Sequence, residues 1–227
     1  MANKTQTKNN SGRVQTNTNS RVISGGTKSQ NQKSNGAKQK TLEDLLEDGL
    51  KDIYSAETQL IEALPEMAKA ADSEDLQDAF TKHLNETKRH AERLEKIFSR
   101  LGIQKNIAKK CEAMEGLIEE GKTIMREFEE GSVRDSALII AAQKVEHYEI
   151  ASYGSLCELC DVLGFNQIGS SLARTLEEEK NTDEHLSEIA RDVNDDAYEM
   201  SNNEDENEKN EFGGSSMYQT KSENTFS

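Results

Sequence analysis

Apolar positions recur every three or four residues along most of the chain from Thr41 to Asp192, the period of a helix with one buried face. The first such segment covers about residues 42–71, on the stripe Leu42, Leu46, Ile53, Leu60, Leu64 and Met67. Thr41, with Asp44 three residues on, has the chemistry of an N-cap. Pro65 is expected to kink this helix or end its regular part. The second covers about residues 74–101, with Asp72 or Ser73 as cap, Gly102 as stop, and Leu76, Phe80, Leu84, Ala91, Leu94, Ile97 and Leu101 on its stripe. A third covers about residues 133–163 and stops at Gly164. A fourth covers about residues 167–192, with Ile168, Leu172, Leu176, Leu186 and Ile189 facing inward. Between the second and third, residues 112–130 form a shorter amphipathic segment with Met114, Leu117, Ile118, Met125 and Phe128 on one side. No alternating run of useful length suggests a strand.

Four helices of this length suit an antiparallel bundle, and an extra helix between the second and third permits a long crossover. The expected fold is therefore all-α: a ferritin-like four-helix bundle with an extra short helix in the crossover between helices 2 and 3. Composition then divides the chain. Only 33% of its 227 residues are hydrophobic while 31% are charged, as when polar tails dilute an ordinary core. Residues 1–40 hold eight bases and no acid and read as a disordered basic tail. Residues 41–193 read as the bundle, and residues 194–227 as a disordered acidic and polar tail.

The net charge of -15 hides that asymmetry: residues 41–227 carry 20 bases against 43 acids, a net of -23. Such a body repels nucleic acid and leaves phosphate contact to the N-terminal arm. No apolar run resembles a signal-peptide core or a membrane span. Three cysteines (Cys111, Cys157, Cys160) make no disulfide framework, so a reducing cytoplasmic setting is expected. Cys157 and Cys160 form a lone CxxC within a helix, which reads as two buried thiols.

Acids interrupt each stripe. In the first helix Glu57 lies between Ile53 and Leu60, facing the core. The second carries the run Phe80, His83, Glu86, His90, Leu94. The third places Glu149 on the line Ala142, Val145, Tyr153, Leu156, with Glu146 about 60° away at ~100° per residue. In the fourth, Glu179 lies between Leu172, Leu176, Asp183 and Leu186. Carboxylates converging from four helices repel one another and need divalent cations or protons to coexist. Dimetal sites in bundle cores are built from a Glu on each of two helices and a Glu with a nearby second ligand on each of the others. Here the pairs are Glu86 with His90 and Glu179 with Asp183, at i+4; the usual i+3 position holds Arg89 and Thr182. The candidate ligands are thus Glu57, Glu86, His90, Glu146, Glu149, Glu179 and Asp183. Oxygen-rich ligation points to iron or manganese, with zinc as a competitor. His83, which precedes Glu86, reads as structural. His147 reads as exposed or as a neighbour of the ligands, and Tyr153 as an accessory residue.

The stretches SAETQLIEALPEMAKAA, HLNETKRHAERL, CEAMEGLIEE, VRDSALIIAAQKVEHYEIASYGSL and LEEEKNTDEHL resemble the YciE/YciF family of bacterial ferritin-like proteins over residues 41–193. The resemblance implies a bundle similar to rubrerythrin, a homodimer, a link to stress responses and a dinuclear metal centre. It maps the family's acids onto Glu57, Glu86, Glu146, Glu149 and Glu179. No rubredoxin-like pair of CxxC motifs is present. Any reaction at such a site would be that of a dimetal oxidoreductase, ferroxidase-like or peroxidase-like. Two further readings stand beside it: a non-enzymatic helical module that uses its acids structurally or as a partner surface, and DNA protection through residues 1–40.

Overall fold

The structure, a computed structural model, describes residues 39–104 and 110–213, with side chains as far as residue 202. Apart from Gln39 and Lys40, the basic arm lies outside the described residues, as does the chain beyond Gly213. Every regular element among the described residues is helical: α1 (Leu42–Ala70), α2 (Glu74–Leu101), α3 (Glu112–Glu127), α4 (Ser132–Val162) and α5 (Asn166–Gly213). None is long and apolar enough to cross a membrane.

Local chemistry sets the helix ends. Thr41 and Asp44 form a capping box, each side chain accepting the other's backbone N–H. The helix then runs on through Pro65 to Ala70, so the ring, which removes one N–H, does not end it. Ser73 caps α2, and Gly102 closes it at φ 71°, a left-handed conformation that glycine adopts without strain. Helix α5 continues to Gly213, across the stretch read from sequence as the start of a disordered tail. Val193 is still buried, whereas Tyr198 and Met200 beyond it are exposed, so the helix outlasts the core.

Helix α1 packs chiefly on α2 and α4 on α5; α1 also meets α4, and α2 meets α5, which closes a four-helix core. Helix α3 lies on α1 and α4. Its start is tied down by Cys111, whose N–H donates to Ser55 Oγ at 2.9 Å and whose carbonyl accepts from Gln59 at 3.1 Å. The Cys111 thiol and the Tyr148 hydroxyl share Asp52, at 3.2 and 2.7 Å. All three cysteines are free; Cys111 and Cys160 are buried and Cys157 half-buried. Enclosed by three neighbours, α4 buries residues on several sides, including Leu138, Ile139, Ala141, Val145 and Leu156.

One buried acid is structural. Asp135, near the start of α4, accepts the N–H of Asp72 at 3.0 Å and of Ser73 at 2.7 Å. These donors stand at the start of α2, where backbone N–H groups lack intrahelical partners and a negative charge is favoured.

Candidate metal centre

Halfway along the bundle the apolar layers give way to carboxylates and imidazoles. Glu57 from α1, His83 and His90 from α2, Glu146 and Glu149 from α4, and Glu179 from α5 are all essentially inaccessible to solvent. They fall into two groups whose nearest ligand atoms lie within 4.8 Å of one another: His83, Glu146, Glu149 and Glu179, and Glu57, His90 and Glu179. Glu179 belongs to both.

The helix phase explains the membership. On α2 the inward run is Phe80, His83, Thr87, His90 and Leu94. At ~100° per residue Thr87 lies about 20° from the mean direction of that run and Glu86 about 80° away. Glu86 therefore stays outside both groups, half-buried and 3.4 Å from Arg89. On α5 the buried positions Leu172, Thr175, Glu179, Thr182, Leu186 and Ile189 alternate steps of three and four, which turns Thr182 inward in place of Asp183. Asp183 instead accepts from Gln143 and lies 3.5 Å from His147, itself largely exposed. His83, read from sequence as structural, stands in a group. Averaging the direction of the whole apolar run, rather than stepping from one residue to the next, would have found it.

Hydrogen bonds assign the ring nitrogens. His90 Nε2 faces Glu178 Oε2 at 2.9 Å, and a carboxylate can only accept, so Nε2 carries the proton. Its Nδ1 then points at Glu179, 2.9 Å away, and at Glu57, 3.6 Å away. His83 is arranged in the mirror sense. The Thr182 hydroxyl spends its single proton on the Glu178 carbonyl at 3.2 Å, so it accepts from His83 Nδ1 at 3.4 Å. That leaves His83 Nε2 facing Glu146 Oε1 at 3.2 Å. Neither inward nitrogen makes an aligned hydrogen bond. A lone pair set against carboxylates is repelled unless a proton or a cation lies between them.

The carboxylates are equally short of partners. The Tyr153 hydroxyl donates to Glu57 Oε1, but Glu57 Oε2, Glu146 Oε2 and both oxygens of Glu149 and of Glu179 have no hydrogen bond. Buried polar atoms are rarely left so, because each forfeits its hydration without recompense. Burial, and then the charges of Glu57, Glu179 and Glu146, push the Glu149 carboxyl well above the usual range. Burial raises Glu179 to about 7 against the opposing pull of His90. Burial would lower the histidines, but Glu146 carries His83 up to about 9, and Glu179 with Glu57 carries His90 up to about 10. Without cations the cluster holds protons.

An apolar cavity of about 10 Å³, no larger than one water needs, adjoins His83, Glu146 and Thr182 and is otherwise walled by side chains such as Leu60, Phe80 and Leu186.

Comparison with known proteins finds relatives of the chain. A family model described as "Domain of unknown function (DUF892)" matches residues 41–198. Protein YciF of Escherichia coli is 48% identical over 151 residues, which span 66% of this chain and 91% of YciF. The crystal structure of that stress protein superposes with a TM-score of 0.65 at 46% identity, covering 69% of this chain and 99% of YciF. YcfI from Rhodopseudomonas palustris gives 0.62 at 43% identity, covering 65% of this chain and 94% of its own.

Proposed function

The chain belongs to the DUF892 family, and from that premise we propose that it is a ferritin-like stress protein whose bundle core binds two divalent iron or manganese ions. The observation that carries the reading is the set of buried Glu57, Glu146, Glu149 and Glu179 oxygens and inward His83 and His90 nitrogens, close together and without hydrogen-bond partners. Charge agrees with it. Four carboxylates and two neutral imidazoles sum to -4, which two divalent cations cancel. Glu57 with His90 would hold one ion, Glu146 and Glu149 with His83 the other, and Glu179 would lie between them. Of the candidates read from sequence, Glu86 and Asp183 have no place in this assignment.

The ferritin-like topology has its own support. Asp135 holds the start of α4 beside the start of α2, which supports reading α3 as part of a crossover, the feature that separates a ferritin-like bundle from a simple up-and-down one.

When bound, iron or manganese would supply the one-electron redox change that molecular oxygen or peroxide requires. The chain's part is to gather negative charge that favours the higher oxidation state, to exclude water, and to place the Tyr153 hydroxyl as a proton donor to Glu57. On this reading the protein acts as a ferroxidase-like or peroxidase-like oxidoreductase in the cytoplasm, as a homodimer, with nucleic acid reached only through residues 1–40. A rival reading keeps the protons in place of the metals and makes the protein a non-enzymatic helical module; the raised Glu149 carboxyl favours it. One comparison separates them. Purified protein is expected to retain iron or manganese at two equivalents per chain, and the Glu57→Ala/Glu149→Ala variant to retain essentially none. Equal, near-zero metal in both would overturn the reading. An anaerobic ferrous titration followed by air, watched for absorption of oxidised iron, then tests the chemistry.

A further inference from the structure

We infer that Glu178 is a positioning residue for one metal position only, so that the two positions of the centre are chemically unequal; this rests on the dimetal reading above. Each histidine of α2 reaches outward to α5, but to different chemistry. His90 donates Nε2–H to a carboxylate, Glu178, at 2.9 Å. His83 donates Nδ1–H to a neutral hydroxyl, Thr182, at 3.4 Å. The two anchors are one helical turn apart and linked, since Thr182 donates to the Glu178 carbonyl.

A carboxylate behind an imidazole makes its opposite nitrogen a stronger donor and fixes the ring's tilt; a hydroxyl does so less. Glu178 is itself held. Arg93 donates to its two oxygens at 2.9 and 3.4 Å, and Arg174 donates at 3.1 Å. Arg93 also bonds the buried Thr175 hydroxyl on the same helix. A surface ion pair would need neither the imidazole nor the threonine, because its partners would be free to turn into water. Here the chain Arg93–Glu178–His90 runs from the half-buried rim of the bundle to Glu57 and Glu179 inside it.

The same contacts assign the sides. The position served by Glu57 and His90 is the one with the charged anchor, and the position served by His83 borders the apolar cavity and has the neutral one. Glu178 contributes no atom to either group. Its effect is carried by the imidazole alone.

The test is an anaerobic Co2+ titration of the full chain, followed by calorimetry and by the visible absorption of bound Co2+. Wild type is expected to take up two equivalents. Glu178→Gln keeps an acceptor for His90 but removes the charge, and is expected to weaken one equivalent about 10–100-fold. The absorption of that equivalent should shift while the other keeps its wild-type affinity and spectrum. Glu178→Ala should extend the loss on the same equivalent, and Thr182→Val should act on the other. The melting temperature of each metal-free variant confirms that it folds; the side chain of Glu178 is only 19% exposed but lies at the rim. Two equivalents that weaken together, or a Glu178→Gln isotherm indistinguishable from wild type, would overturn the inference while leaving the dimetal reading intact. Wild type that takes up no Co2+ would remove both.

Discussion

Two kinds of buried acid occupy this bundle, and they differ in their partners. Asp135 is 1% exposed and fully engaged, with both oxygens on backbone N–H groups of the α1–α2 turn. Glu149 is as deeply buried and engages nothing. Burial alone therefore does not mark a site. An acid with its donors supplied is part of the scaffold, whereas an acid whose donors are missing marks a candidate site.

The largest effect that could break this contrast is metal-dependent stability. Two equivalents of Mn2+ at about a hundred times the dissociation constant should stabilise wild type by about 2.7 kcal/mol per site, read as a rise in melting temperature. Glu57→Ala/Glu149→Ala should show no such rise. Asp135→Ala should do the opposite: the metal-free fold loses about 2–4 kcal/mol, since two helix-start donors lose a charged acceptor, while metal affinity is nearly kept. If Asp135→Ala emptied the metal site at unchanged stability, the division between scaffold and site would fail.

A smaller effect sharpens the contrast from the other side. Glu149→Gln replaces a carboxyl that the metal-free fold must hold protonated, so the metal-free variant should be as stable as wild type or more so by about 1–2 kcal/mol, while its metal binding falls. The pH dependence has a definite sign. Glu179, raised from 4.5 to about 7, and His83 and His90, raised from 6.5 to about 9 and about 10, bind protons in the folded chain that the unfolded chain releases. The metal-free protein should therefore lose stability as pH rises from about 4.5 through 10, and the loss should shrink when cations replace those protons. Melting temperatures against pH, with and without Mn2+, check this. Thr41→Ala, far from either kind of buried acid, should cost about 1 kcal/mol through the lost cap and leave metal binding alone.

Much of this was readable in the residues. Spacing placed the helices within a few positions and put Glu57, Glu146, Glu149, Glu179 and His90 on inward faces, where they are found. It misplaced α2's Glu86 and α5's Asp183 because Glu86 and Thr87, or Thr182 and Asp183, are neighbours on a helix, and a step of three or four admits either. The choice belongs to packing between helices: α2 turns His83 toward Glu146 of α4 and Thr182 of α5, and no local rule carries that information. Glu178 was invisible for a related reason. A residue that acts by leaning on another side chain leaves no period in the sequence. The reach of α5 past Asp192 was hidden by acidic composition, and it is a reach of helix more than of core, since Val193 is buried but Tyr198 and Met200 are exposed.

The bond from Asp135 to Ser73 has a metrical consequence. It works as a common zero for two scales, since α2 and α4 start together at that bond and climb the same way. His83 is ten residues above Ser73 and Glu146 eleven above Asp135, about 15 and 16.5 Å at ~1.5 Å per residue, so the two side chains arrive level without any contact needed to align them. An inserted residue in either scale would lift one mark past the other by about 1.5 Å and swing it by about 100°, and an intact helix would still miss its counterpart.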